Sequence, residues 1–159
     1  MRDGDAGHER VRRDLAKHGL VLPEAPTAVG MYVPARIAGS LVFTAGQLPS
    51  RQGRLLTTGR VGAEVSIETA AECAAQAALN ALAAAATVCD LDSVVAVVRL
   101  TGYVASAEGF RDQATVMNGA SEVLAAAFGE AGAHSRVAVG VAELPLGAPV
   151  EVEVVLSLA

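Results

Sequence analysis

A chain of 159 residues can bury one core but not two, and with 52% hydrophobic but only 3% aromatic residues that core must be packed from alanine, valine and leucine. The net charge is −5 and the 12 basic residues are divided between the N-terminal segment and scattered loops. Neither a basic stripe nor stacking aromatics is present, which argues against a nucleic-acid surface.

The opening MRDGDAGHERVRRDLAKHGL carries charges where a secretory signal needs an apolar run, so a cytoplasmic protein is expected. Within it, residues 7–18 have helical charge spacing and end at Gly19, ahead of Pro23 and Pro26. This short helix and its lead-in, 1–29, read as an appendage to a domain spanning 30–159. Residues 30–46, GMYVPARIAGSLVFTAG, read as two short strands around Gly39-Ser40, a hairpin. The glycine-rich stretch 48–63 indicates loop and short edge pairing.

Ser66 is placed to cap a long alanine-rich helix over 67–88, with Glu68 in its first turn. The apolar region 70–99 is broken by Glu72, Gln76, Asn80, Asp90 and Asp92, too often for a membrane span. Cys73 and Cys89 lie within and just after that helix with no histidine cluster, a pattern of buried thiols in which neither a metal site nor a disulfide is expected.

SVVAVVRLTGYV, 93–104, is a β-branched strand suited to a central position. A second helix follows over 107–128, with Phe110, Ala114, Met117, Ser121, Leu124 and Phe128 on one face. The last two segments, RVAVGVAEL and PVEVEVVLSL, alternate and are joined by PLGA, which predicts antiparallel neighbours. The order β-β-α-β-α-β-β gives an α+β layer, two helices on one face of a mixed sheet. The other face is left bare, and a closed ring of identical copies would cover it.

Arg136 shares its strand face with Ala138, Gly140 and Ala142, an arginine over very small neighbours where a small ligand would have room. A guanidinium is a fixed fork suited to a carboxylate, although a rim arginine in an intersubunit salt bridge fits the same pattern. Glu151 opens the last strand. If the two strands form a hairpin, Arg136 and Glu151 lie roughly 20 Å apart, so one pocket could use both only between copies. Solvated rim charges are the other reading of Glu151 and Glu153. His134 reads as an exposed loop residue.

MYVPARIAGSLVFTAGQLP, the alanine-rich helix, VMNGASEV and SRVAVGVAELPLGAPVEVEV together resemble the RidA (YjgF) family of reactive-intermediate enamine/imine deaminases, over about residues 30–159. The resemblance implies a chorismate-mutase-like fold and a homotrimeric barrel with clefts between subunits. It implies hydrolysis of 2-imino or enamino acids to 2-keto acids and ammonia without a cofactor. Arg136 would bind the substrate carboxylate, Glu151 would guide water, and Tyr32 would close over the ligand. Asn118 matches the family's helix asparagine, with pocket contact and a helix-to-backbone hydrogen bond both open to it. Ala45, Gly46 and Ala138 would line the site, Ala45 and Ala138 standing where the archetype has serine and cysteine. Those two changes keep a second reading open, a non-catalytic trimer that binds small carboxylate metabolites. The endoribonuclease activity sometimes attached to the family is disfavoured by the acidic balance and the few aromatics.

Overall fold

A computed structural model describes residues 7–159. Its main sheet is ordered β1-β2-β7-β5-β6, built from β1 (Ala35–Ala38), β2 (Leu41–Thr44), β5 (Val94–Ala105), β6 (Ser135–Val141) and β7 (Val150–Leu158). A separate hairpin pairs β3 (Ser50–Arg51) with β4 (Arg54–Leu55). The helices are α1 (Glu9–Ala16), α2 (Ile67–Ala85) and α3 (Gln113–Phe128); the α+β layer is as expected, but three helices rather than two contribute to its core.

The β1–β2 hairpin turns at Gly39-Ser40 as expected, with Gly39 at φ 62°, a conformation that costs glycine little. The terminal strands depart from expectation. β6 and β7 are not a hairpin: β6 runs parallel to β5, and β7 lies between β2 and β5, antiparallel to both. A tight turn enforces hairpin pairing, but the link 142–149 is long and carries its own 3-10 turn at Pro145–Gly147, so the chain can pass β5. The pairing of β6 is instead set by α3, which makes the parallel β5-α3-β6 crossover. β7 alternates buried and half-buried positions from Val150 to Leu156, as a strand with helices on one side only should.

α2 starts at the predicted cap, where Ser66 Oγ accepts from the Thr69 N–H at 3.1 Å, and stops at Ala85, short of residue 88. α3 starts at Gln113 rather than 107, because Gly109 adopts φ 78° in the turn before it. The two helices cross closely: a methyl at Gly119 would press into the backbone of Ala71. Buried Gln76 and Asn80 on α2 hold the β3–β4 hairpin, through Arg51 (Nη2 to Gln76 Oε1, 2.9 Å) and the Leu48 and Ser50 carbonyls (both 2.9 Å from Asn80 Nδ2).

α1 joins the same core through fully buried Val11 and Leu15. Its free N–H groups are capped from afar, since the Asp92 carboxylate accepts from the N–H of Arg10 at 2.9 Å and of Val11 at 3.0 Å. Cys73 is buried and Cys89 half-buried, both free thiols. Burial, then the charge of Glu72, pushes the Cys73 thiol up to about 11. No helix among the described residues is long and apolar enough to cross a membrane.

Candidate functional site

Register along β5 decides where the two charged residues of the terminal strands go. Arg136 pairs with fully buried Leu100, so its side chain rises on the helix side, whereas Glu151 pairs with Tyr103, three residues further on and therefore on the opposite face. Two strand spacings and three residues place their backbones roughly 14 Å apart, nearer than the hairpin reading gave. The faces separate them all the same.

On the helix side, α3 offers a ledge to Arg136. Ala114, Asn118 and Ser121 follow at i, i+4 and i+7, flanking the buried stripe that contains Val116, Met117 and Ala120. Arg136 Nη1 donates to Asn118 Oδ1 at 2.9 Å and to Ser121 Oγ at 3.1 Å, while Nη2 donates to the Ala114 carbonyl at 3.2 Å. Asn118 thus serves the arginine and not the helix backbone. All three partners are neutral, and among the described residues no carboxylate lies within 4.0 Å of the guanidinium. Three of its five N–H donors are occupied, leaving Nε–H and one on Nη2, as many as a carboxylate takes in a bidentate pair.

His134 corrects the sequence reading. It is half-buried, with Nδ1 2.6 Å from the Gly132 carbonyl and Nε2 3.0 Å from Ser121 Oγ. The small residues beside Arg136 also do something other than expected: Ala138 packs against the core, and a methyl at Gly140 would come within 2.9 Å of Gln113 Nε2 and 3.0 Å of Ser106 Oγ. Within one protomer the space above these positions is filled by the α3 entry and the end of β5.

On the other face, β2 leaves the ladder after Phe43–Val155 and rejoins β7 at Gln47–Val152, so the chain bulges by one residue at Ala45-Gly46. Backbone bonds of 2.8 and 3.0 Å between Gln47 and Val152 pin the bulge. Gly46 lies directly against Glu151, where any side chain would overlap the carboxylate. Burial, then the charge of Glu153, raises the Glu151 carboxyl above the ordinary glutamate range. Tyr103, opposite Glu151, reaches Glu153 Oε1 at 3.5 Å, and its phenol is also shifted up, mainly by burial. The Ala45 N–H donates to the Pro34 carbonyl at 2.8 Å, bringing the segment that carries half-exposed Tyr32 to this bulge.

The chain therefore carries two groups of candidate residues. Arg136, Asn118 and Ala138 belong to the β6–α3 edge; Glu151, Gly46, Ala45 and the Tyr32 segment belong to the bare face. Ser121 and His134 join the first group without having been singled out for the site. The one signal for Ser121 was a hydroxyl in an otherwise apolar helical stripe. The bare face exposes Phe43 (43%) and Val139 (39%), and among the described residues β6 is an edge strand paired with β5 alone.

A family profile described as "YjgF/chorismate mutase-like, putative endoribonuclease" matches residues 12–157. Protein TCP17 of Trypanosoma cruzi is 38% identical over 151 residues, covering 94% of each chain. The crystal structure of Atu1372 from Agrobacterium tumefaciens, a protein of unknown function, is 38% identical with a TM-score of 0.86, covering 96% of this chain and 94% of that one. Escherichia coli TdcF, solved with bound serine, is 25% identical with a TM-score of 0.62, covering 86% of this chain and 94% of its own.

Proposed function

Because the chain belongs to the YjgF/chorismate mutase-like family, we propose that it hydrolyses reactive 2-imino or enamino acids to 2-keto acids and ammonia, in clefts between three copies of itself. The observation that supports this reading is the Arg136 guanidinium, held on neutral acceptors with no carboxylate of the described residues within 4.0 Å and two donors to spare. TdcF, with serine bound, gives a relative that holds a small molecule bearing a carboxylate.

The two groups on opposite faces form one pocket when the β6–α3 edge of one copy meets the bare face of the next. Such a head-to-tail contact closes into a ring, and it covers both Phe43 and the β6 edge. In that pocket Arg136 fixes the substrate carboxylate. Glu151 accepts a proton from water as the water oxygen bonds to the carbon of the protonated imine, giving a neutral carbinolamine. It returns that proton to nitrogen, then takes up the hydroxyl proton as the C=O bond forms, the C–N bond breaks and ammonia leaves, and releases it to solvent. Tyr32 covers the cleft. Imines already hydrolyse in water, so positioning and one tuned carboxylate suffice. The raised Glu151 carboxyl suits it to giving the proton back.

A second reading, capture of small carboxylate metabolites without turnover, is favoured by Ala45 and Ala138, which bring no hydroxyl or thiol to the cleft. Imino acids generated in place by an amino-acid oxidase and trapped with semicarbazide separate the two. Hydrolysis lowers the trapped imine with the wild-type protein and not with Arg136→Ala. Equal trapping with and without wild-type protein leaves binding alone.

A further inference from the structure

Arg136 is oriented by a chain of hydrogen bonds whose polarity can be read from its far end. The Gly132 carbonyl can only accept, so His134 Nδ1, 2.6 Å away, carries the ring proton. In that tautomer Nε2 is bare and accepts from the Ser121 hydroxyl at 3.0 Å. With its hydrogen turned toward the imidazole, Ser121 Oγ presents lone pairs to Arg136 Nη1 at 3.1 Å. Every link has one donor and one acceptor, and the elements joined are the 3-10 turn Gly129–Gly132, α3 and β6.

We infer that His134 and Ser121 are positioning residues for the substrate-binding arginine, holding the Ser121 hydroxyl in the one orientation that accepts from Arg136 and leaves its remaining donors for a carboxylate. The inference rests on the proposed anchoring role of Arg136 and adds what sets that anchor. Without His134 the hydroxyl is free to turn its hydrogen toward the guanidinium or back to the helix, and the arginine loses a fixed partner on the half-buried side of its fork. Asn118 Oδ1 and the Ala114 carbonyl, both toward solvent, remain and cannot by themselves define the tilt.

Two measurements test this on the full-length protein. Ring 15N shifts of the neutral imidazole form of His134 are expected to show the Nδ1–H tautomer with a hydrogen-bonded Nε2; an Nε2–H tautomer overturns the relay. Pyruvate, the simplest 2-keto acid, is titrated into the variants and its Kd followed by chemical shift. His134→Ala and Ser121→Ala are each expected to weaken pyruvate by about tenfold, the loss of one hydrogen bond to a charged group. Ser121→Thr, which keeps the hydroxyl, restores binding. In an Arg136→Lys background, His134→Ala costs nothing further, because its effect runs through the guanidinium. A purely structural role would instead give the same loss in both backgrounds, and that result overturns the inference. Absent imine turnover with pyruvate binding still dependent on His134 refutes the hydrolase reading alone. Normal turnover with binding indifferent to His134→Ala refutes the relay alone.

Discussion

Replacing Gly46 by alanine should slow the chemistry by about a hundredfold while leaving the fold almost untouched. An added methyl would overlap the Glu151 carboxylate oxygen and lie 2.9 Å from its Cδ and 3.2 Å from its Cγ. What must yield is the end of a flexible side chain, and pushing it about 30° off its rotamer costs about 1 kcal/mol. The same push moves the carboxylate by about 1 Å, a misplacement that can cost about a hundredfold in rate. Gly119→Ala is the opposite case. Its methyl would come within 2.8 Å of the Ala71 carbonyl carbon, backbone against backbone, and should cost about 1–3 kcal/mol in stability. Urea unfolding and semicarbazide trapping, run on both variants, separate the two effects. If Gly46→Ala keeps turnover close to wild type, the placement of Glu151 by the bulge is irrelevant and the reasoning fails.

Three further outcomes follow from the same geometry. Glu153→Gln removes a neighbouring negative charge that raises the Glu151 carboxyl; since Glu151 must be ionised to accept the water proton, the acid limb of the kcat/KM profile should move to lower pH. Glu151→Gln should stabilise the protein at neutral pH: its folded carboxyl sits above the unfolded value, so the ionised form is what burial disfavours, and the gain should disappear in urea titrations as pH falls below the unfolded glutamate range. Asp92→Ala leaves two N–H groups of α1 uncapped and should lower stability by about 2 kcal/mol, read by thermal unfolding, with pyruvate affinity unchanged.

Much of this arrangement was legible in local patterns, because local patterns determine it. The Gly39-Ser40 turn, the Ser66 cap, the two long helices and the β-branched β5 each depend on residues a few positions apart. The strand order did not follow in the same way. PLGA looks like a hairpin turn, and only the competition between β5 and β6 for a place beside β7 shows that it is not one. The faces of Arg136 and Glu151 inherit that error and its correction. Small residues at 138, 140 and 142 suggested open space, yet the same pattern lets a helix approach closely, and at Gly140 it is Gln113 and Ser106 that approach. His134 was unreadable because its partner, the Gly132 carbonyl, is a backbone atom whose position depends on how α3 ends.

The most direct test of the account is subunit complementation. Arg136→Ala and Glu151→Gln proteins, each inactive alone, are unfolded together, refolded as a mixture and assayed by semicarbazide trapping. A cleft that takes its arginine from one copy and its glutamate from the next regains activity, up to about one quarter of wild-type sites for random assortment around a ring. A mixture as inactive as its components would contradict the shared cleft.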